Sequence, residues 1–246
     1  MADALRLAGG LVLLTGLTLA VLYIAQIPHL RGVVEAAVRA VTQLALVALA
    51  LRGVFAAPLA VIAVLAVMFG VAAWTARSRL PGMAGRGRAV VLGCGAGSIV
   101  VVGLIVGLPI LDRNVRDLVA VSGIVIGGTM TAASLTGRRL AEGLRLRREE
   151  IEGWIALGAT NRQAVRDIAR TAAYEAMVPV LDQTRTVGLV TLPGAFVGAL
   201  LGGASVVSAA KFQVVVLVGL MCAEAISAAT VAYVLGAPLT LADPAG

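Results

Sequence analysis

The chain has 246 residues, of which 60% are hydrophobic and only 13% are charged, and its mean hydropathy is +0.99. A soluble domain carries about 25% charged residues, so this chain has too few polar side chains to cover a surface in water. The net charge of +7 does not indicate nucleic-acid binding, because the arginines cluster between apolar runs, where they determine membrane topology. Composition predicts one membrane domain over residues 1–246.

Seven apolar runs approach the about 20 residues that a membrane-spanning helix needs. The N-terminal run is longer than the apolar region of a signal peptide, so we expect it to be a true span. The sixth run is interrupted by a Pro-Gly pair. The sequence predicts an all-α, polytopic transmembrane bundle of about seven spans: Leu5–Gln26, Ala36–Phe55, Pro58–Ala76, Ala89–Leu111, Leu118–Thr136, Thr186–Gly203 and Phe212–Gly236.

Arginine is distributed unevenly between these runs. The segment Gly137–Thr171 contains eight arginines and Arg77–Arg88 contains four, whereas the alternate connections carry few. The positive-inside rule assigns the arginine-rich segments to the cytoplasm. With seven spans, we expect a multi-pass protein of the plasma (inner) membrane whose N-terminus is outside and whose C-terminus is cytoplasmic.

Glycines recur four residues apart in several runs, a spacing that lets helix backbones approach closely in lipid. This pattern predicts tight helix packing, and the alternative is that some of these faces line a translocation path. The glycines concerned are Gly93 and Gly97, Gly103 and Gly107, Gly123 and Gly127, and the series Gly194, Gly198 and Gly202.

The segment of residues 137–174, between the fifth and sixth runs, combines apolar positions near helical spacing with charged residues on the other faces. Gly158 is placed to end a first helix, and Thr160 with Gln163 forms a capping-box pattern that starts a second. The pattern predicts a cytoplasmic helix-turn-helix element. It could dock on a soluble motor, or it could lie on anionic lipid as an amphipathic helix.

Part of this element resembles the coupling loop of ABC importer permeases. Glu152, Gly158 and Ile168 occur in the register of that motif, although its two alanines are replaced by Gly153 and Trp154. The Leu-Pro ending of the motif is replaced by an Arg-Thr pair. The resemblance implies that coupling to an ATPase involves Glu152, Trp154, Gly158, Ala159, Thr160 and Ile168.

Longer segments resemble the FetB family of ABC permeases, from about Arg31 to about Leu235. They are residues 37–44, 122–130 and 210–213, and above all 182–194, which reads DQTRTVGLVTLPG. The resemblance implies a permease that works with a separate ABC ATPase subunit. Bacterial members are associated with iron export and plant members with aluminium tolerance. We therefore expect a permease that exports a metal ion such as iron.

The sequence indicates that ATP is not bound by this chain. A phosphate-binding loop of the Walker A type needs a Gly-Lys-Ser/Thr ending, and the one lysine, Lys211, lies between Ala210 and Phe212. We expect no enzyme activity and no cofactor here, with ATP and Mg on the partner ATPase. ABC architecture needs two membrane halves, which implies a homodimer of the permease.

Cys94 and Cys222 lie in apolar runs and, with His29 as the one histidine, do not form a zinc or haem site. We interpret both cysteines as small hydrophobic packing residues. Met68 and Met130 could offer thioethers to a soft metal, but core packing is the better interpretation.

Five polar residues within or beside the apolar runs are candidates for the translocation path, because charge in a membrane is costly and so tends to be functional. Asp182 and Arg185 share a helical face and could instead form a structural ion pair. Glu224 has no charged neighbour in sequence, and it could line the path or be a protonated or paired packing residue. The candidates are Arg39, Gln43, Asp182, Arg185 and Glu224.

Two other functional classes stay open at this stage. An ion-gradient-driven secondary transporter would use intramembrane charges and broken helices, which this chain has in part. A membrane scaffold would transport nothing. Neither alternative needs the Glu152–Gly158–Ile168 element, so binding of an ATPase to that element distinguishes the first hypothesis from both.

Overall fold

The computed structural model describes residues 2–28, 30–54, 58–80, 82–108, 110–111 and 114–236. In this part of the chain the regular structure is helical, with one isolated bridge between Val187 and Thr191. The all-α prediction is confirmed for these residues. The helices are α1 (Ala2–Ile24), α2 (Leu30–Val54), α3 (Pro58–Arg79), α4 (Arg86–Gly107), α5 (Val115–Leu146), α6 (Arg148–Ala156), α7 (Asn161–Ala164), α8 (Arg166–Thr186), α9 (Gly194–Leu201) and α10 (Val206–Leu235).

Five helices in the described residues are long and apolar enough to cross a membrane, namely α1, α3, α4, α5 and α10. The prediction of a polytopic membrane bundle is therefore confirmed, whereas the count of seven spans stays a prediction. The helix α2 is not among the five, and it carries Arg31, Glu35 and Arg39 near its start. The sixth predicted run contains only the eight-residue α9, because the chain turns at Gly188, with a φ of +81°, and resumes a helix after Pro193.

The chain divides into two compact units, Met1–Ala60 and Val61–Gly246. In the first unit, α1 packs on α2 and the two helices leave an apolar groove between them. In the second unit, α10 packs along both α4 and α5, and α8 packs against α5 and α10. The C-terminal half of α3 adds Ala73, Ala76 and Leu80 to the buried cluster of this unit.

The second unit has an exterior that suits lipid rather than water. Large apolar side chains point outward on several of its long helices, for example Trp74, Ile99, Val214 and Val218. Its interior is rich in alanine and valine and also contains polar side chains. Because a water-soluble protein rarely exposes contiguous apolar surface, this distribution agrees with membrane insertion.

The helix α5 is followed by a short helical corner, which comprises α6, the turn at residues 157–160, and α7. Gly158 has a φ of +91°, the left-handed conformation that a glycine adopts after a helix end. The Thr160 side chain accepts a hydrogen bond from the backbone N–H of Gln163, and Gln163 Oε1 accepts one from the backbone N–H of Thr160 at 2.8 Å. The predicted capping box is confirmed.

Candidate functional site

Thr129 lies where α4, α5 and α10 meet, and it is fully buried. Its hydroxyl donates to the carbonyl of Ile126 at 3.0 Å, so the Ser98 hydroxyl, 3.3 Å away, donates to Thr129 Oγ1. The Thr129 carbonyl accepts from Ser227 at 3.1 Å and from the Cys94 thiol at 3.5 Å. One residue of α5 thus joins α4 to α10 by hydrogen bonds, in a region where water is not available to replace them.

The helices approach closely at this crossing because three positions lack a side chain. A Cβ at Gly93 would lie 2.7 Å from Val231, and a Cβ at Gly97 would overlap the carbonyl oxygen of Ala223. A Cβ at Gly128 would collide with Leu220. The predicted packing role of Gly93 and Gly97 is confirmed.

The other predicted glycine pairs do not behave alike. Nothing lies within 4 Å of a Cβ built at Gly103, Gly107 or Gly127, whereas one built at Gly123 would be 3.0 Å from Met68. On α5 the closest helix contact is therefore made by Gly128, one residue after the predicted Gly127. The repeat in the sequence cannot reveal this shift, because it depends on which face of α5 meets α10.

Polar side chains form a buried stripe along the α5–α10 interface region. Every buried polar or charged side chain in the described residues lies on α4, α5 or α10. On α5 they recur seven residues apart, which is close to two helical turns and so keeps them on one face. We call the following set the polar stripe: Ser122, Thr129 and Thr136 of α5, with Gln213, Glu224 and Ser227 of α10.

Three members of the polar stripe are incompletely satisfied. Within the described part of the chain, no hydrogen-bond partner reaches Ser122 Oγ, Thr136 Oγ1 or Gln213 Oε1. Buried polar atoms normally have a partner, and an exception calls for an explanation such as water or an ion. The seven-residue recurrence on α5 is a signal that sequence reasoning missed.

Glu224 is the one charged side chain that is buried among the described residues, with 6% of its surface exposed. It faces α5, where a Cβ at Gly128 would lie 2.7 Å from its Oε1 atom. Within the described residues it forms no ion pair and no hydrogen bond. Glu224 also precedes Ser227 by three residues, so the two side chains share a face of α10. The carboxyl group therefore lies beside the Thr129 crossing without a partner for its charge.

The other predicted path residues do not lie in this core. Asp182 and Arg185 form an ion pair of 3.4 Å on the exposed surface of α8, as the structural alternative predicted. Arg39 and Gln43 lie on α2 in the first unit, where both side chains are exposed. Of the five candidates, only Glu224 is part of the polar stripe.

The methionines and cysteines occupy packing positions. Met130 packs beside the buried cluster that contains Cys94, and Met68 lies against Gly123. Cys94 is buried, as predicted, but Cys222 is exposed on α10. No cluster of three or more His, Cys, Asp or Glu side chains suited to a metal occurs in the residues the structure describes.

The corner has a buried base and an exposed tip. Ile151 of α6 is fully buried in the cluster that contains Leu140, Val165 and Ile168. Ile168 also fits against Gly143, where a Cβ would lie only 2.5 Å away. Ile168 is thus an anchor of the corner, and it does not offer the contact surface that the motif resemblance implied.

The tip presents apolar side chains to the outside. Leu157 is 83% exposed and Trp154 is 51% exposed, while Gly158 and Thr160 beside them are also exposed and Ala159 is partly exposed. The coupling residues predicted from the motif, apart from Ile168, therefore lie together on or near this surface. Five side chains of similar exposure on one rigid turn can form a contact patch.

Ion pairs stiffen the start of α6. Arg147 Nη2 lies 2.6 Å from Glu150 Oε1, and Arg148 Nε lies 2.8 Å from Glu152 Oε1. The hydrogen bond from Arg147 lowers the pKa of Glu150 below its ordinary value. Glu152 is therefore engaged by Arg148 within its own helix, which fixes its direction on the corner.

These features define a multi-pass helical membrane protein with a buried polar stripe and a rigid helical corner. The chain belongs to the family described as "Uncharacterised protein family (UPF0014)", whose pattern matches residues 4–238. The family resemblance that the sequence motifs indicated is confirmed.

Named relatives cover most of the chain. The "UPF0014 membrane protein STAR2" of Oryza sativa subsp. japonica is 34% identical over 197 residues, which is 79% of this chain and 69% of that protein. The "Probable iron export permease protein FetB" of Escherichia coli strain K12 is 30% identical over 200 residues, 79% of this chain and 76% of that protein. The "Protein ALUMINUM SENSITIVE 3" of Arabidopsis thaliana is 34% identical over 138 residues, 56% of this chain and 50% of that protein. No solved structure matches the chain.

Proposed function

We propose that this chain is the membrane-spanning subunit of an ABC transporter, that it works as a homodimer with a separate ATPase subunit, and that it exports a metal cation. The observation that carries the proposal is the corner, whose base is buried in the bundle and whose apolar tip is exposed. The name of the Escherichia coli relative, an iron export permease, supports the direction and the class of cargo.

The length of α5 explains how the corner could meet a soluble motor. Its 32 residues span about 48 Å, whereas the hydrocarbon core of a bilayer is about 30 Å thick. Its apolar part ends at Arg138 and Arg139, so the last two turns extend beyond the lipid. The corner follows directly and stands clear of the membrane, on the side that the positive-inside rule assigns to the cytoplasm.

A rigid base is what mechanical coupling requires. Movement of an ATPase against Trp154 and Leu157 would pass through Ile151 and Ile168 into α5 and α8, because these side chains are packed without space to yield. Both helices contact α10, which carries Glu224. A displacement of the corner could therefore alter the polar stripe.

Glu224 is the group on this path that we propose meets the cation. An isolated carboxylate inside a bilayer is costly unless it carries a proton or pairs with a cation. The neighbouring hydroxyl groups of Ser227 and Thr129 are oxygen donors that could replace part of a hydration shell. Asp182, Arg185, Arg39 and Gln43 remain weaker path candidates because all four are exposed in this chain.

The test of coupling is co-purification of the full chain with an ABC-type ATPase of the same organism. Leu157→Asp places a charge at the tip, and we expect it to abolish co-purification. The matched control is Leu189→Asp, since Leu189 is 90% exposed in the turn at the opposite end of the 21-residue α8. Capture of the ATPase by Leu157→Asp at the wild-type level would show that the corner does not couple.

An ion-gradient-driven transporter is the second candidate, favoured by the unpartnered Glu224 and by the helix break between α8 and α9. Purified chain in liposomes distinguishes the two. Metal movement driven by a proton gradient, without an ATPase, would support the second candidate. Movement that requires the ATPase and ATP would support the first.

The predicted topology can be tested in the same proteins. Seven spans place the N-terminus outside and the C-terminus in the cytoplasm of the plasma (inner) membrane, and an even number places both termini on one side. Reporter fusions at the two ends distinguish these arrangements. The prediction requires opposite locations for the two reporters.

A further inference from the structure

Three arginines line a cleft at the C-terminal end of α10. Arg162, Arg166 and Arg170 are spaced four residues apart along α7 and α8, so they share one helical face. The facing wall is made by Tyr233 and Ala232 of α10, and the cavity between them has a volume of about 340 Å³. We call this feature the arginine cleft.

The charges of the arginine cleft are not balanced by the chain. Its lining contains three arginines and no acidic residue. Arg170 lies 3.9 Å from Asp167, but both side chains are largely exposed, so this pair is loose. Arg166 has no acidic partner in the described residues. The cleft therefore has room and positive charge for an anion.

The position of the cleft relates it to the membrane surface. The helix α10 is long and apolar enough to cross a membrane, and Tyr233 is in its last turn. Tyrosine at the end of a span is typical of the membrane–water boundary. The Arg162 guanidinium carbon lies 4.0 Å from the centre of the Tyr233 ring, which holds this arginine at the same level.

The walls of the cleft are amphipathic in the way a lipid is. Below the arginines, its lining is apolar and consists mainly of small side chains, among them Ala169, Ala173 and Ala229. Small residues leave a shallow apolar channel, and arginines at its mouth can bind phosphate through several N–H groups at once. Basic pockets between transmembrane helices are known to bind anionic head groups.

We propose that the arginine cleft binds an anionic phospholipid, with its phosphate at Arg166 and Arg170 and its acyl chain against the alanines. This inference depends on membrane insertion and not on the proposed transport function. Two other roles are weighed by the experiment. The arginines could merely stabilise the negative end of the α10 dipole, or they could contact the ATPase.

The experiment measures lipid retention by native mass spectrometry on the purified full chain. The chain is exposed to phosphatidylcholine alone or to an equimolar mixture with phosphatidylglycerol. We expect the wild-type chain to retain phosphatidylglycerol preferentially. The double variant Arg166→Gln/Arg170→Gln should weaken that preference by roughly 30-fold, since each basic residue near an anionic surface contributes about tenfold or slightly less.

The matched control is Arg138→Gln/Arg145→Gln, which removes two exposed arginines of the same segment from outside the cleft. It should retain the wild-type preference. An equal loss in both double variants would indicate a general charge effect and overturn the proposal. If the first double variant does not fold, the single variant Arg166→Gln tests the same contact, with an intermediate loss expected.

Further arms separate the remaining sources of the effect. Inorganic phosphate alone should not displace the lipid, and full displacement would show that the cleft binds free phosphate instead. A thermal stability loss that is the same in both lipid compositions would assign the arginines to the helix dipole. Loss of ATPase capture with unchanged lipid retention would assign them to protein docking, and either outcome would overturn the lipid site.

Discussion

The carboxyl group of Glu224 on α10 lies against the backbone of Gly128 on α5, so closely that a methyl group at position 128 would be 2.7 Å from Glu224 Oε1. The same methyl group would collide with Leu220, one turn earlier on α10. The place of the only buried charge among the described residues is thus set by the absence of a side chain on the neighbouring helix. This contact joins the packing of the bundle to its most plausible chemistry.

The first prediction concerns Gly128→Ala. Leu220 and Glu224 must move to admit the added methyl group, and overpacking of this kind costs about 1–3 kcal/mol. We expect a lower thermal midpoint for the purified chain in detergent. The control is Gly127→Ala, because a Cβ there meets nothing within 4 Å. Equal behaviour of the two variants would contradict the close approach of α5 and α10.

The second prediction concerns Glu224→Gln, which keeps the shape of the side chain and removes its charge. If Glu224 meets the transported cation, metal export should fall by about tenfold or more, the effect of losing about 1.4 kcal/mol of interaction. Capture of the ATPase should not change, because the corner is untouched. Metal export at the wild-type rate would remove Glu224 from the path.

The third prediction uses two glycines of the corner with opposite expected effects. At Gly158, φ is +91°, so Gly158→Ala should destabilise the corner by about 1–2 kcal/mol. Gly153 is inside α6 with open space around it, so Gly153→Ala should stabilise the helix by about 0.5–1 kcal/mol. Hydrogen exchange of the corner amides measures both. Changes of the same sign would refute the assigned turn.

The fourth prediction is a pH dependence of the corner. Because the hydrogen bond from Arg147 lowers the pKa of Glu150 from its ordinary value of 4.5, the pair stabilises the folded corner at neutral pH. The stabilisation is present above 4.5 and is lost as the pH falls through the lowered pKa. Glu150→Gln lacks it at every pH.

Hydrogen exchange of the α6 amides, followed from neutral to acidic pH, tests this dependence. Wild-type protection should exceed that of Glu150→Gln at neutral pH and converge with it in acid. A difference that persists in acid would mean that the carboxylate charge is not the cause. The side chain is fully exposed, so the effect should be small and should decrease with added salt.

Several features could be predicted from sequence because their causes are local. Composition is sufficient for membrane insertion, since apolar length and scarce charge decide it without tertiary contacts. The capping box at Thr160 and the turn at Gly158 depend on residues a few positions apart. The Asp182–Arg185 pair likewise forms within one helix.

Other features could not be predicted because they depend on which helix faces are buried. The motif resemblance placed Ile168 among the coupling residues, yet the packing of α8 on α5 buries it against Gly143. Glu224 and Asp182 looked alike in sequence as charges in or beside apolar runs. Burial separates them, since Glu224 is 6% exposed and Asp182 is on the surface of α8.

By itself, the sequence determined that this protein is a helical membrane protein and where its corner turns, because hydropathy and capping act over short distances. Only the tertiary structure decided that Gly128 rather than Gly127 meets α10, and that Ser122, Thr129 and Thr136 form one stripe with Glu224. The physical reason is that lipid gives no preference for one apolar helix face over another. Close packing and hydrogen bonds between helices supply that preference, and they depend on residues distant in the chain.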